Sequence, residues 1–416
     1  PIPSIRLTPI RPAALHIRTD PHCGRRYHAS KALSENTDLL GKCAPYSATI
    51  WKRFRNEVCA ECWRYDRGRK TFLTRKDDEG FQRPDAPGSG ASGVTGAGLS
   101  FCDAQCQRSW IDREGLDAVA ALRRLEAARQ KKPAKPAPDS PQGAPSGQPT
   151  DVTQAAADAA WAALSAQESS PKAVRRWATL QLDDYEADMA RYVLLALLRY
   201  LRELPPPPHP RPHPAGAAMG ASSQAEGPQE HWSNDRWATF ASLQTNELAL
   251  LRACPGILEH QTLVYSVLRA RFRPNPQTRF PGGTDVGGQS SLADLVTVEN
   301  IRTIFGVDPG NAFGIWETPL MEESECLGFA VYPMASFFNH SCSPNVRKER
   351  QGRVLRFVTT SGADDGEELC ISYGPNVEGM GWETRQKELL EGWYFACRCA
   401  RCVSEMVRSG NEGIGR

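Results

Sequence analysis

The segment ASFFNHSCSPNV, residues 335–346, sets Asn339, His340, Cys342, Pro344 and Asn345 within seven residues of one another. Taken alone it is a polar turn following a strand. Further along, DGEELCISYG at 365–374 leads from acidic turn residues into a strand that ends at Tyr373. Beyond it lies WYFACRCARC at 393–402, a C-x-C-x2-C triplet with aromatic residues just before it. Three cysteines at that spacing suit a metal site that draws its fourth ligand from elsewhere in the chain.

The rest of the chain sets bounds on the reading. Its 416 residues leave room for two or three domains at roughly 150 residues each. The net charge of +2 is near balance and no long basic stripe is present, so nothing calls for a nucleic-acid or membrane partner. With 32 prolines, 34 glycines and 40% hydrophobic residues, sizeable inserts without fixed structure are expected between folded pieces. Thirteen cysteines are an odd count, grouped as Cys59/Cys62, Cys102/Cys106 and Cys397/Cys399/Cys402. Such tight groups fit zinc chelation in a reducing compartment better than a secreted disulfide framework, so a nuclear and/or cytoplasmic location is expected. The opening twenty residues lack an apolar run, and the longest apolar stretch, 193–198, is far too short to span a bilayer. Arg6, Arg11 and Arg18 with no acid before Asp20 leave a mitochondrial address open beside a plain basic tail.

Periodicity organises the remainder. Residues 24–51 read as short strands and turns, and the Gly/Ser/Ala-rich stretch 86–100 as a flexible loop. Residues 116–132 read as a helix and 133–150 as a Pro/Ser/Gly linker. From 151 to 204 the pattern is helical, with Met189, Tyr192, Val193, Ala196 and Tyr200 at three- and four-residue spacing. PPPPHPRPHP at 205–214 stops that helix and opens a second insert; it is also polyproline in character, either a solvated insert or a peptide ligand. Helices resume at 237–273, a third insert spans 274–290, and 328–338 and 353–360 read as strands. Residues 382–393 read as a helix. The class is α+β, strands at both ends and helices between.

The order N-H-S-C-x-P-N, then G-E-E-L-x-I-S-Y, then C-x-C-x2-C resembles the C-terminal half of a SET domain and its post-SET cap, and is most similar to the SET and MYND domain (SMYD) methyltransferases. The likeness covers roughly 295–405 well and extends thinly to GRRYHASKALSENTDLL at 24–40. It implies a SET-type fold of small β-sheets with a pseudo-knot, an inserted zinc finger, a helical insert and a cysteine-rich cap. The corresponding layout is a disordered tail at 1–20, a first SET segment at 21–54, a reduced MYND-like module at 55–112, a helix and linker at 113–150, a helical insert at 151–294, the SET core at 295–380, the cap at 381–405 and a tail at 406–416. The family's C-terminal helical-repeat domain is expected to be missing, since only residues 403–416 follow Cys402.

By the same resemblance the chain is an S-adenosylmethionine-dependent protein-lysine methyltransferase, a monomer acting on a protein substrate without direct nucleic-acid binding. Methyl transfer from a sulfonium to an amine is a direct displacement, so the protein has to desolvate and align the reacting atoms. The resemblance gives cofactor contacts to Asn339 and His340, to Gly24 and Arg25 of the first segment, to Asn246 in LQTN (243–246) and to Phe395, which would pack on the adenine. It gives the channel for the substrate lysine to Phe313, in GNAFGI, and to Tyr373, the catalytic residue at the junction of the two pockets. A lysine with an ordinary pKa of about 10.4 must lose its proton first, which a narrow aromatic channel favours. The family's G-x-G turn is here Gly24-Arg25-Arg26, and an arginine in place of the second glycine would tolerate a left-handed conformation poorly.

Two structural zinc ions are implied. One is held by Cys342 with Cys397, Cys399 and Cys402. The other is held by Cys59, Cys62, Cys102 and Cys106, the last two expected on one helix face. Residues 63–101 contain no Cys or His, so the second metal site of a full MYND finger is absent. Two rival readings stay open: a SET fold kept as a non-catalytic interaction scaffold, and a zinc-finger nucleic-acid binder using Arg64, Arg67, Arg69 and Lys70, which lacks a helix patterned for groove reading.

Overall fold

The computed structural model describes residues 14–21, 24–67, 75–76, 96–130, 152–204, 237–273, 291–321, 323–374 and 379–412. Strands β1 (Leu15–Asp20), β2 (Gly24–Ala29) and β3 (Ser47–Ile50) come first, then β4 (Arg75–Lys76), β5 (Ser100–Phe101) and helix α1 (Ala104–Glu126). A helical block follows: α2 (Gln154–Gln167), α3 (Pro171–Ala178), α4 (Asp184–Glu203), α5 (Trp237–Ala241), α6 (Glu247–Ala253), α7 (Ile257–Arg271), α8 (Leu292–Leu295) and α9 (Val298–Asn311). The chain then returns to strands β6 (Ala312–Trp316), β7 (Cys326–Val331), β8 (Asn339–His340), β9 (Val346–Gln351), β10 (Val354–Thr359) and β11 (Cys370–Ile371), and ends in α10 (Trp382–Trp393) and α11 (Ala400–Glu412).

Helix α4 is the spine of the core. Asp183 and Glu186 form a reciprocal capping box at its start. Its apolar residues from Met189 to Leu198 are buried, apart from half-buried Leu195, and Tyr192 meets Phe329 of β7 at 4.9 Å between ring centroids. The three-stranded sheet β3-β7-β6 packs beside it, and the Ser47 hydroxyl donates to the Tyr192 carbonyl at 2.7 Å. Gly328 is required where β7 crosses β3, because a β-carbon there would collide with the Thr49 carbonyl.

A buried ionic knot ties the sheet to the helices. Arg55 pairs with Glu126 of α1 and Asp188 of α4, and Arg129 and Arg191 complete the cluster. Burial alone would raise the Glu126 carboxyl, but the surrounding guanidiniums hold it at about 2.

The two ends of the sequence interlock. The stretch from Tyr27 to Cys43 bonds along 355–369: Ala29 N–H to the Glu367 carbonyl at 2.9 Å, Leu33 to Ala363 at 2.8 Å, Cys43 to Leu355 at 2.8 Å, and Leu369 back to Tyr27 at 2.9 Å. β8 and β11 lie side by side in parallel, Asn339 opposite Cys370 and His340 opposite Ile371. This puts the N-H-S-C segment against the strand that delivers Tyr373.

Several sequence expectations change. The tail read at 1–20 includes a strand, since β1 pairs with β2 from Leu15↔Ala29 to Asp20↔Gly24. The tail read at 406–416 continues helix α11 to Glu412. The last part of the loop read at 86–100 is packed, with Ala97, Leu99 and Ser100 buried. The helix expected over 116–132 does begin at 116, just past non-helical Gly115 (φ +78°), but ends at Glu126, and a further helical stretch precedes it from Ala104, capped by Asp103 accepting from the Cys106 N–H. The strand read at 328–338 stops at Val331 and gives way to a short 3-10 turn, Ala335–Phe337. The inserts at 133–150, 205–214 and 274–290 lie outside the described residues.

Candidate functional site

His340 sits at the centre of the site. Its Nδ1 accepts the Tyr373 backbone N–H at 3.1 Å, so the ring proton is on Nε2, which faces Cys342 Sγ at 3.3 Å. Burial, helped by the charges of Lys348 and Arg385, lowers the imidazole to about 4 and keeps it neutral. The Tyr373 hydroxyl donates to the Phe338 carbonyl at 3.1 Å, one residue ahead of Asn339. Burial pushes the phenol well above its ordinary range, so it stays protonated.

Aromatic rings enclose this centre. Tyr373 lies 5.3 Å from His340, 6.0 Å from Phe395 and 5.7 Å from Trp393, while Phe395 is 6.0 Å from His340. Trp393 was not singled out from sequence, although it opens the same WYFACRCARC run. Asn345 locks the two segments together, its Oδ1 accepting from Cys370 N–H at 2.9 Å and its Nδ2 donating to the Glu368 carbonyl at 2.9 Å.

The cysteines beneath form a tight group. The sulfurs of Cys342, Cys397, Cys399 and Cys402 all lie within 4.8 Å of one another, Cys342 at 3.9 Å from Cys397 and 3.5 Å from Cys402. Tetrahedral zinc at about 2.3 Å from each sulfur sets them about 3.8 Å apart, so the donors fit that ion. Arg385 reaches Cys402 Sγ at 3.8 Å and pairs with Glu405, bracing the cluster between α10 and α11.

A second group, Cys59, Cys62, Cys102 and Cys106, is equally close, with 3.8 Å between Cys62 and Cys102 and 3.4 Å between Cys102 and Cys106. Cys102 and Cys106 do not share a helix face as expected. Cys102 precedes the Asp103 cap and Cys106 lies in the first turn, and the cap itself brings the sulfurs together. None of the described cysteines is in a disulfide.

The first segment meets the helical block at a separate seam. Gly24 has φ +70°, the left-handed conformation only glycine adopts freely, and its α-carbon faces the Gln244 side chain. Arg26, by contrast, lies in extended β2 and pairs with Glu368 at 2.6 Å and Asp20 at 3.1 Å, so the strain expected of the Gly24-Arg25-Arg26 turn does not arise. Arg25 donates to the Ser242 hydroxyl at 3.2 Å and to its carbonyl, and lies 4.9 Å from the Phe337 ring, two residues before Asn339. Asn246 is the residue before α6; its N–H donates to the Gly306 carbonyl at 3.1 Å and its amide abuts Gly310. Buried Asn311 holds this segment through the Gln244 carbonyl at 2.9 Å, a role that sequence did not disclose. Phe313, in β6, faces Tyr332 at 5.5 Å and Phe357 at 6.3 Å.

Residues 178–374 match the SET domain family. A potential protein lysine methyltransferase of Saccharomyces cerevisiae is 33% identical over 171 residues, 41% of this chain and 41% of that protein. A SET and MYND domain-containing protein of Dictyostelium discoideum is 38% identical over 104 residues, 25% of each. A protein-lysine N-methyltransferase of Mus musculus, SMYD4, is 34% identical over 83 residues, 20% of this chain and 10% of that one. The matched stretch thus spans about two fifths or less of these relatives. Among the described residues no helix is long and apolar enough to cross a membrane. With its SET match, these relatives and two four-cysteine clusters that could hold zinc, the chain is a SMYD-like SET protein.

Proposed function

We propose that the chain is an S-adenosylmethionine-dependent protein-lysine methyltransferase. The observation that carries this reading is the meeting of Tyr373, His340 and Phe395 beside the four-cysteine group of Cys342. When bound, S-adenosylmethionine supplies an electrophilic methyl on a sulfonium. The rings of Tyr373, Trp393 and Phe395 offer a cation-tolerant, water-poor wall for it and for the incoming amine. Tyr373, neutral and oriented by the Phe338 carbonyl, keeps its oxygen lone pairs for the amine or the methyl hydrogens. Gly24, Arg25 and Asn246 are proposed on the cofactor side and Phe313 on the lysine side. Two zinc ions fit the cysteine groups as structural braces, and a nuclear and/or cytoplasmic site of action suits cysteines that form no disulfide.

Titration with S-adenosylmethionine, followed by labelled methyl transfer to a protein mixture, tests the reading. Micromolar binding and transfer lost on the order of 100-fold in Tyr373→Phe are expected. The second reading, a non-catalytic scaffold, draws on Arg25, whose bonds to Ser242 close the first turn onto the helical block. It would show no binding at any concentration tested.

A further inference from the structure

The position that the proposed function gives to a substrate lysine already faces a lysine of the chain itself. Lys348 lies on β9, sharing a strand face with buried Val346 by the two-residue alternation. Its Nζ donates to the Ser372 carbonyl at 3.0 Å and to the Tyr373 carbonyl at 3.4 Å, and stands 5.9 Å from the centroid of the Phe313 ring. Carbonyl oxygens on one side and an aromatic face on the other are what a lysine amine needs in such a channel. Tyr373 and Phe313 are the two residues assigned to that channel.

We infer that Lys348 is a methyl acceptor of this protein, modified within its own chain by the Tyr373 site. The inference rests on the proposed function above. The step balances: the amine, having lost one proton to solvent, forms a nitrogen–carbon bond as the sulfonium–methyl bond breaks, and S-adenosylmethionine leaves as the neutral thioether S-adenosylhomocysteine. The two carbonyls take two N–H bonds, leaving the third tetrahedral direction for the lone pair. Lys348 is exposed as a residue, while the protein atoms around its ammonium lower the pKa to about 8, against an ordinary value near 10.4. A useful fraction is therefore neutral at physiological pH.

The test uses the full chain with methyl-labelled S-adenosylmethionine and no added substrate. Cleavage after glutamate releases peptide 326–349, in which Lys348 is the sole lysine. A methyl increment on that peptide is expected by mass spectrometry, with a first-order rate unchanged on dilution of the protein and a loss on the order of 100-fold in Tyr373→Phe. An increment that persists in Lys348→Arg lies on another residue and overturns the assignment, and a rate proportional to protein concentration overturns transfer within one chain. If the protein labels an added protein mixture while Lys348 stays unmodified, the inference alone fails. If it neither binds S-adenosylmethionine nor labels anything, the proposed function fails with it.

Discussion

The Tyr373 N–H donates to His340 Nδ1 at 3.1 Å, and that bond fixes which face of the imidazole turns to Cys342. The proton on Nε2 then points at the Cys342 sulfur, so one ring joins the tyrosine to the four-cysteine group. Outer partners of this kind typically contribute 10- to 100-fold to metal affinity. His340→Leu should therefore release zinc to a chelator faster by about that factor. A Tyr373→Phe control, which keeps the backbone N–H, should release it at the wild-type rate.

Metal analysis should find two zinc ions per chain. Cys399→Ser should lose one and weaken S-adenosylmethionine binding, because Phe395 and Trp393 hang from the same cap. Cys62→Ser should also lose one and leave cofactor binding intact. Equal losses of binding in the two variants would contradict the separation of the sites.

Gly24→Ala forces a side chain into a left-handed conformation and should cost about 1 kcal/mol in thermal or denaturant unfolding. The added carbon itself would meet Gln244 only at an ordinary 3.5 Å. Arg26→Gly should not relieve strain, since Arg26 has none; it should destabilise by removing the pairs with Glu368 and Asp20.

Arg55 is 4% exposed and its two carboxylate partners lie on different helices. Arg55→Ala leaves Glu126 and Asp188 short of a buried partner and should cost about 3 to 5 kcal/mol in unfolding experiments. Arg129 and Arg191 remain beside Glu126, so a loss at the lower end is expected.

Self-transfer to Lys348 should rise with pH and level off above about 8, because the neutral amine is the nucleophile and its pKa is lowered to about 8. The groups facing it, neutral His340 and the protonated Tyr373 phenol, do not change charge over pH 6 to about 9 in a way that would reverse that slope. A profile still climbing steeply at pH 10 would mean an unperturbed lysine.

Much of this was legible beforehand where spacing is short. Asn339, His340, Cys342 and the cysteine triplet could be placed because each motif lies within a few residues, and α10 was read to its ends from 382 to 393. What escaped depends on distant partners. Lys348 sits in a strand of charged residues, and only the approach of Ser372 and Tyr373 gives it a role. Asn311, the last residue of α9, gains its role only through the Gln244 carbonyl, distant in sequence. The Arg26 expectation failed because a left-handed residue was sought one or two positions beyond Gly24, where the chain has already entered β2. The part of α1 ahead of Gly115 escaped the sequence, while the part after it begins at the expected 116.

The pairing of Tyr27 and Ala29 with 366–369 also sets a timetable for synthesis. β2 emerges early from the ribosome, yet its partners follow roughly 20 to 70 s later at ordinary elongation rates. Until then β2 has only β1 to pair with and the tyrosine centre cannot assemble. A nascent chain should therefore lack that centre until residues 366–369 have emerged.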